Sequence, residues 1–331
     1  MYDLGHNPTK RINIGLVGTG YAAKLRAEAL QQDERANLVA VAGAENARTE
    51  AFAASYQAQA IDSWQQLVES TVIDLIIVST INSEHSAIVR AALESGKHVV
   101  VEYPLALNAI EATELIALAK DKNLLLHVEH IELLGGLHQA IKKHISEVGH
   151  VFYVRYNTIK SQHPAPRKWT YNHDLFGFPL MGALSRLHRF TDLFGKVLTV
   201  NCHQRFWQIE DDYFQGCFCV AQLSFESGLL GQVIYAKGET LWQNERKFEI
   251  HGEHGGIIFN EDTGQMIRRD GTVPIETINR KGLFTKDTSM VLDHLLTGAE
   301  LYVTPEQSLY TMKVADAALR SAQTGLTMVV D

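Results

Sequence analysis

Two arginines three residues apart, Arg186 and Arg189, are the clearest anion-binding signal in the chain. Residues at i and i+3 share a helix face, and a guanidinium can take a carboxylate through two parallel hydrogen bonds. Such a pair can take a carboxylate; ordinary surface arginines are the plain alternative. Arginine stays protonated, so neither residue can act as a general base. Tyr103, inside Glu102-Tyr103-Pro104, can hydrogen-bond a substrate or wall its pocket. His85 follows a short apolar run, where it can relay a proton or simply pack and cap a helix. Trp169, Tyr171 and Phe178 lie in a Pro- and aromatic-rich stretch, 161–179, and can stack on flat rings or fill a core. His127, Glu129, His130 and Glu132 invite a metal reading, but their spacing matches no recognised site. No metal is expected, and His130 is read as a substrate contact, with Trp169 as a second one.

A second chemical signal sits at the start of the chain. Gly18-Thr19-Gly20-Tyr21-Ala22-Ala23 is a GxGxxA turn between an apolar run and an amphipathic stretch. Gly18 permits the tight turn, Gly20 lets backbone approach a pyrophosphate, and Ala23 allows close helix–strand packing. The helix N-terminus adds N–H groups and the positive end of its dipole. An acidic residue about 20 residues further on would bind the ribose hydroxyls and repel a 2′-phosphate. That region reads Val41-Ala42-Gly43-Ala44-Glu45-Asn46, with Gly43 and Ala44 at the expected positions. NADPH is therefore favoured, with NADH possible, since a one-residue shift of register brings in Glu45. Asn46 or Arg48 can contact the phosphate; for Arg48, a solvated helix-face charge is the alternative.

The elements that must carry these residues follow from hydrophobic periodicity. Runs at 12–17, 38–42, 75–79, 99–101 and 124–128 are short and apolar on both faces, as buried parallel strands are. Helical patterns at 22–31, 47–56, 64–69, 85–95 and 109–121 alternate with them. Asn108 with Glu111 reads as an N-cap and its N3 partner. Strand and helix in alternation mean a doubly wound α/β sheet. Past a helix at 133–145 the pattern changes to longer alternating strands at 151–159, 199–207, 218–225, 229–235, 247–251 and 256–259. These predict a largely antiparallel sheet. Helices are expected at 180–193, 288–296 and 305–323. The fold class is thus an α/β Rossmann domain, 1–128, followed by an α+β domain with a large, mostly antiparallel sheet, 129–331.

Composition bounds the function. A chain of 331 residues suits two domains. Thirty basic against 38 acidic side chains leave a net charge of −8, which disfavours nucleic acid and acidic membranes as partners. Three cysteines without a CxxC argue against a disulfide framework and a zinc ribbon. The first residues carry no apolar leader stretch, and the longest apolar run, 73–81, is too short to span a bilayer. A cytoplasmic location is expected; oligomeric state is not legible.

Three further strings carry a resemblance. Ser79-Thr80-Ile81-Asn82-Ser83-Glu84-His85, then 91–99, then Glu102-Tyr103-Pro104, together with the glycine turn, resemble the glucose-fructose oxidoreductase/inositol dehydrogenase family. The resemblance implies that Thr80, Asn82 and Glu102 line the cofactor, with the nicotinamide near Tyr103. Sugar-oxidising members carry a lysine where this chain has Tyr103, and an Asp and a His where it has Ser185 and Arg189; only Asp192 fits their pattern. Their base and its partners are thus replaced. The segments 101–107, 125–141, 163–171, 176–180 and 183–195 are similar to the cyanobacterial biliverdin reductases within that family. That likeness implies NADPH-dependent hydride transfer to C10 of biliverdin, with propionates held by arginines. A sugar or cyclitol dehydrogenase, and a non-catalytic nucleotide-binding sensor, are the alternatives.

Overall fold

Short runs of Val, Ile and Leu that are buried on both faces become the parallel strands of the first unit. In the computed structural model, which describes residues 11–277 and 281–331, these are β1 (Ile12–Val17), β2 (Ala36–Ala42), β3 (Gln59–Ile61), β4 (Leu75–Val78), β5 (His98–Glu102) and β6 (Leu126–Glu129). Between them run α1 (Tyr21–Gln31), α2 (Asn46–Ser55), α3 (Trp64–Glu69), α4 (His85–Glu94) and α5 (Ala109–Asp121). The sheet order is β3-β2-β1-β4-β5-β6, all parallel. The order reverses between β1 and β4, and a crevice at the strand C-termini is the usual ligand site of such sheets. Asn108 does cap α5: its Oδ1 accepts the Glu111 N–H at 2.9 Å. β3 is only three residues long, too short to leave a periodic signal.

The second part is built on alternating strands. It contains α6 (Gly136–His144), β7 (Val151–Ser161), α7 (His173–Phe176), α8 (Pro179–Gly182), α9 (Ser185–Phe194), β8 (Val197–Glu210), β9 (Tyr213–Phe225), β10 (Leu230–Gly238), β11 (Glu245–Gly252), β12 (Gly255–Asn260), β13 (Thr263–Arg268) and β14 (Gly271–Ile275). Then follow α10 (Leu283–Thr297), α11 (Pro305–Thr324) and β15 (Met328–Val329). Nine strands form one sheet in the order β14-β13-β12-β11-β7-β10-β9-β8-β15. Only the β7–β10 pairing is parallel.

The structure departs from the sequence reading in three places. The sheet extends by β13, β14 and β15, strands of six, five and two residues that are too short to leave a clear alternation. The single helix expected at 180–193 is two, α8 and α9, broken at Ala183 and Leu184. Gly182 lies against the Phe176 ring so closely that a Cβ would come within 2.6 Å of it. The division of the chain also differs. The compact units are Met1–Ile131 with Lys281–Leu309, and Glu132–Arg280 with Tyr310–Asp331, so α10 returns to the first unit instead of staying in the second. Its Val291, Leu292 and Leu295 share one core with Ile14, Ala27 and Leu30. Among the described residues no helix is long and apolar enough to cross a membrane. Residues 1–10, read above for a leader, lie outside the described residues.

Candidate active site

The glycine turn has the shape its motif implies. Gly18 has φ +123°, and a Cβ there would stand 2.3 Å from the Ser79 carbonyl oxygen. At Gly20, which caps α1, a Cβ would meet nothing within 4 Å. The space above Gly20 is open, as a pyrophosphate approaching backbone requires. At the end of β2 a side chain on Gly43 would meet Thr49 Oγ1 at 2.5 Å and Thr19 Cγ2 at 2.9 Å, so one of these threonines would have to shift. Ala44, Asn46 and Arg48 are exposed beside it. Arg48 donates to the Thr19 carbonyl at 2.8 Å, which brings its guanidinium to the glycine turn. Glu45 caps α2 through its carbonyl, which accepts from the Thr49 N–H at 2.9 Å and hydroxyl at 2.8 Å. Its side chain is exposed. This donor set fits a dinucleotide with a 2′-phosphate.

The ends of β4 and β5 are tied together by His85. Its buried ring places Nδ1 2.8 Å from the Pro104 carbonyl and Nε2 3.4 Å from that of Thr80. Burial pushes the imidazole pKa down, against these carbonyls and Glu102, which favour its charged form. The ring therefore braces the Tyr103-Pro104 segment. Asn82 is buried and Thr80 half-buried in the same loop.

Glu102 is engaged from behind. Its Oε1 accepts from Arg26 Nε at 2.9 Å. Arg26, on α1, is fully buried and also pairs with Asp287 of α10. Asp287 Oδ1 accepts from His127 Nε2 at 2.8 Å and from the Tyr302 hydroxyl at 2.7 Å. Burial opposes ionisation of Asp287, yet Arg26 and His127 outweigh it and hold the carboxyl well below the usual range. The Tyr302 oxygen accepts the His130 N–H at 3.0 Å. The His130 ring is buried, stacks on Tyr103 at 5.3 Å and 5°, and reaches Ser308 Oγ at 2.9 Å. In this position it supports Tyr103 from behind.

In the second unit, Arg186 lines a cavity of about 410 Å³ with Thr158, Lys160, Tyr235, Lys237 and Arg246. Its Cζ lies 5.5 Å from the Tyr235 ring, and Nη1 donates to Ser185 Oγ at 2.8 Å. Arg189 does not join it. That side chain is buried and spends Nη1 on the Glu132 carbonyl at 3.0 Å, so the pair is not one carboxylate seat. Trp169 is half-buried, its ring 5.9 Å from that of Phe176, and Tyr171 packs on Phe214 at 5.4 Å. Asp192 accepts from His138 Nε2 at 2.7 Å and Lys142 at 2.8 Å. Burial alone would raise its pKa, but these bonds hold it at about 2. Lys237, Lys160 and Arg246 were missed in the sequence. The available signal was strand alternation, which puts Tyr235 and Lys237 on one face of β10. A larger cavity, about 640 Å³, opens in the first unit beside Leu124 and Leu126. It lies at the strand N-termini, the opposite end of the sheet from the glycine turn.

Residues 12–130 match an oxidoreductase family with an NAD-binding Rossmann fold, and residues 142–330 match that family's C-terminal alpha/beta domain. The chain is 49% identical to a solved biliverdin reductase from Synechocystis sp. PCC 6803 in complex with biliverdin and NADP+, covering 94% of this chain and 99% of that one at a TM-score of 0.92. It is 26% identical to biliverdin reductase A of Mus musculus, covering 87% of this chain and 88% of the relative. A levoglucosan dehydrogenase solved with NADH and levoglucosan has the same fold, with a TM-score of 0.86 at 20% identity, covering 97% of this chain and all 100% of the other. The chain belongs to the GFO/IDH/MocA oxidoreductases, on their biliverdin reductase branch.

Proposed function

We propose that this chain reduces biliverdin IXα to bilirubin with NADPH. The observation that carries the reading is the 49% identity, over 94% of the chain, with a reductase solved with biliverdin and NADP+. The residues support it independently. Alcohol oxidation needs a base at the hydroxyl, and Tyr103, Ser185 and Arg189 stand where the sugar-oxidising members of the family place their lysine, aspartate and histidine. A conjugated bilin needs orientation and a nearby positive field more than a strong base.

Bound at the glycine turn, NADPH supplies the hydride that C10 of biliverdin accepts, while a pyrrole nitrogen gains a proton. Gly18 and Gly20 shape the pyrophosphate seat, with Thr19, Tyr21 and Ala22 around it. Asn46 and Arg48 take the 2′-phosphate beside Ala44, and NADH serves less well because it lacks that group. Thr80, Asn82 and Glu102 line the nicotinamide end; Arg26 fixes Glu102 and His85 fixes Pro104. Tyr103, backed by His130, walls the reacting centre. Arg186 takes a propionate and polarises the bilin. Arg189 acts behind it by holding α9 to the Glu132 carbonyl. Three buried free thiols fit a cytoplasmic reaction.

A visible spectrum tests the reading. Protein, NADPH and biliverdin together bleach the red absorbance and raise a yellow one as NADPH is consumed. Reduction of NADP+ by a polyol, with no change in the bilin, contradicts it.

A further inference from the structure

Lys237 is only 5% exposed, and the first-unit chemistry described above makes no use of it. Its Nζ donates to the Thr170 carbonyl. Four aromatic rings surround the ammonium, with centroids at 4.0 Å for Phe176, 4.7 Å for Tyr171, 5.4 Å for Phe214 and 5.5 Å for Tyr235. Ring faces attract a cation, and more strongly when it is desolvated, but they do not neutralise it. Among the described residues, the titratable and charged neighbours that act on Lys237 are Cys217 on β9, Arg186 on α9 and Lys160 on β7. None of them is a carboxylate.

The Tyr235 ring therefore serves two cations at once. The Arg186 Cζ stands 5.5 Å from its centroid, the same distance as Lys237 Nζ. Both residues line the 410 Å³ cavity. Two positive charges share one ring, and the burial of Lys237 limits how far solvent screens their repulsion. Glu245 and Glu261 also line the cavity, where Arg246 pairs with Glu261 and Asp262 and Glu245 accepts from Asn157; an anion beside Arg186 relieves the repulsion between Arg186 and Lys237.

We propose that Lys237 is a positioning residue for the substrate's anionic group: its charge holds Tyr235 and the Thr170 carbonyl in place and turns the Arg186 guanidinium toward the cavity. The proposal rests on reading that cavity as the seat of a bilin carboxylate. Lys237 acts through Arg186, because its own Nζ is already enclosed by rings and bonded to backbone.

The cluster has one member that titrates near neutrality. Burial pushes Lys237 down to about 8, opposed by Cys217 and helped by Arg186 and Lys160. Burial also pushes the Cys217 thiol up to about 11 and the Tyr171 phenol up to about 12. Below its pKa Lys237 is charged and Arg186 is turned outward. Above it the amine is neutral, its hold on the rings weakens, and the seat loses positive field.

The test is the KM for biliverdin across pH 7 to 9 in wild type, Lys237→Met and Lys237→Arg, with NADPH affinity followed in parallel. In wild type the KM rises with a midpoint near pH 8 by roughly tenfold, the scale of losing one unscreened charge nearby. In Lys237→Met the KM is high at pH 7 and flat; in Lys237→Arg it stays low to pH 9. NADPH affinity is the same in all three. A purely structural lysine would lower stability without moving this pH limb. Parallel limbs in wild type and variants, with normal turnover, overturn the proposal alone. Should Lys237→Met not fold, an unchanged limb in Lys237→Arg does the same. A wild type that neither binds nor reduces biliverdin at any pH defeats the functional reading, and the proposal with it.

Discussion

Gly18 and Gly20 stand two residues apart in one motif and answer to different constraints. A side chain on Gly18 strikes the Ser79 carbonyl at 2.3 Å on a backbone with φ +123°, so its smallness serves the fold. A side chain on Gly20 meets only open space, so the fold does not require its smallness; the proposed pyrophosphate seat does. Gly18→Ala is expected to lower thermal stability sharply. Gly20→Val is expected to unfold at the wild-type temperature but to lose NADPH binding in a fluorescence titration; tight binding by that variant contradicts the cofactor placement. Arg186 differs from Arg189 in the same way. Removing one partner of a desolvated charge pair costs about 2–5 kcal/mol. Arg186→Ala therefore loses roughly thirtyfold or more in kcat/KM for biliverdin, while NADPH affinity holds. Arg186→Lys recovers part of the loss, because an ammonium keeps the charge without the planar fork. Arg186→Ala turnover near the wild-type rate removes Arg186 from the site.

At the scale of elements, the parallel strands and the glycine turn were legible because each is a local pattern. The β2–α2 turn was legible in composition but not in register. The structure ends β2 at Ala42 and puts Glu45 at the α2 cap, so the residue that follows the strand is Gly43. Ala44→Asp, one residue on, is expected to reverse the NADPH preference by repelling the 2′-phosphate, read as kcat/KM for the two cofactors. A wild type that prefers NADH overturns the argument. The return of α10 was not legible, because it depends on Asp287 finding Arg26 across 261 positions of sequence. Lys237 was missed for a related reason: its neighbours come from β7, β9, α9 and the 169–171 turn. Arg189 was misplaced because helical spacing gives a shared face without saying which backbone carbonyl lies against it. The Arg26–Asp287 tie carries its own prediction. Breaking a buried pair costs about 3–5 kcal/mol, so Asp287→Asn is destabilised at neutral pH. Asp287 has a depressed pKa in the folded state, so its contribution is complete above the unfolded carboxylate pKa, near 4, and fades as pH falls below it. The stability gap between wild type and variant is expected to narrow on acidification in urea titrations. A gap that stays constant from pH 7 to pH 3 contradicts this role for the pair.

The whole molecule carries a net charge of −8, yet the cavity beside Arg186 is lined by Lys160, Lys237 and Arg246 as well. Glu245 and Glu261 are the carboxylates on the same lining. A positive cavity in an acidic protein selects a small anion over the polyanions that a basic protein attracts. This charge pattern, the replaced base positions and the NADP-type turn describe one reaction, hydride transfer to an anionic conjugated acceptor. Deuterium labelling tests that claim most directly. The protein is given NADPH carrying deuterium at nicotinamide C4, on each face in turn, with biliverdin IXα, and the bilin product is analysed by mass spectrometry and NMR. Bilirubin with one deuterium at C10 is expected from one face of the cofactor only. Bilirubin without deuterium, or label confined to another carbon, contradicts it.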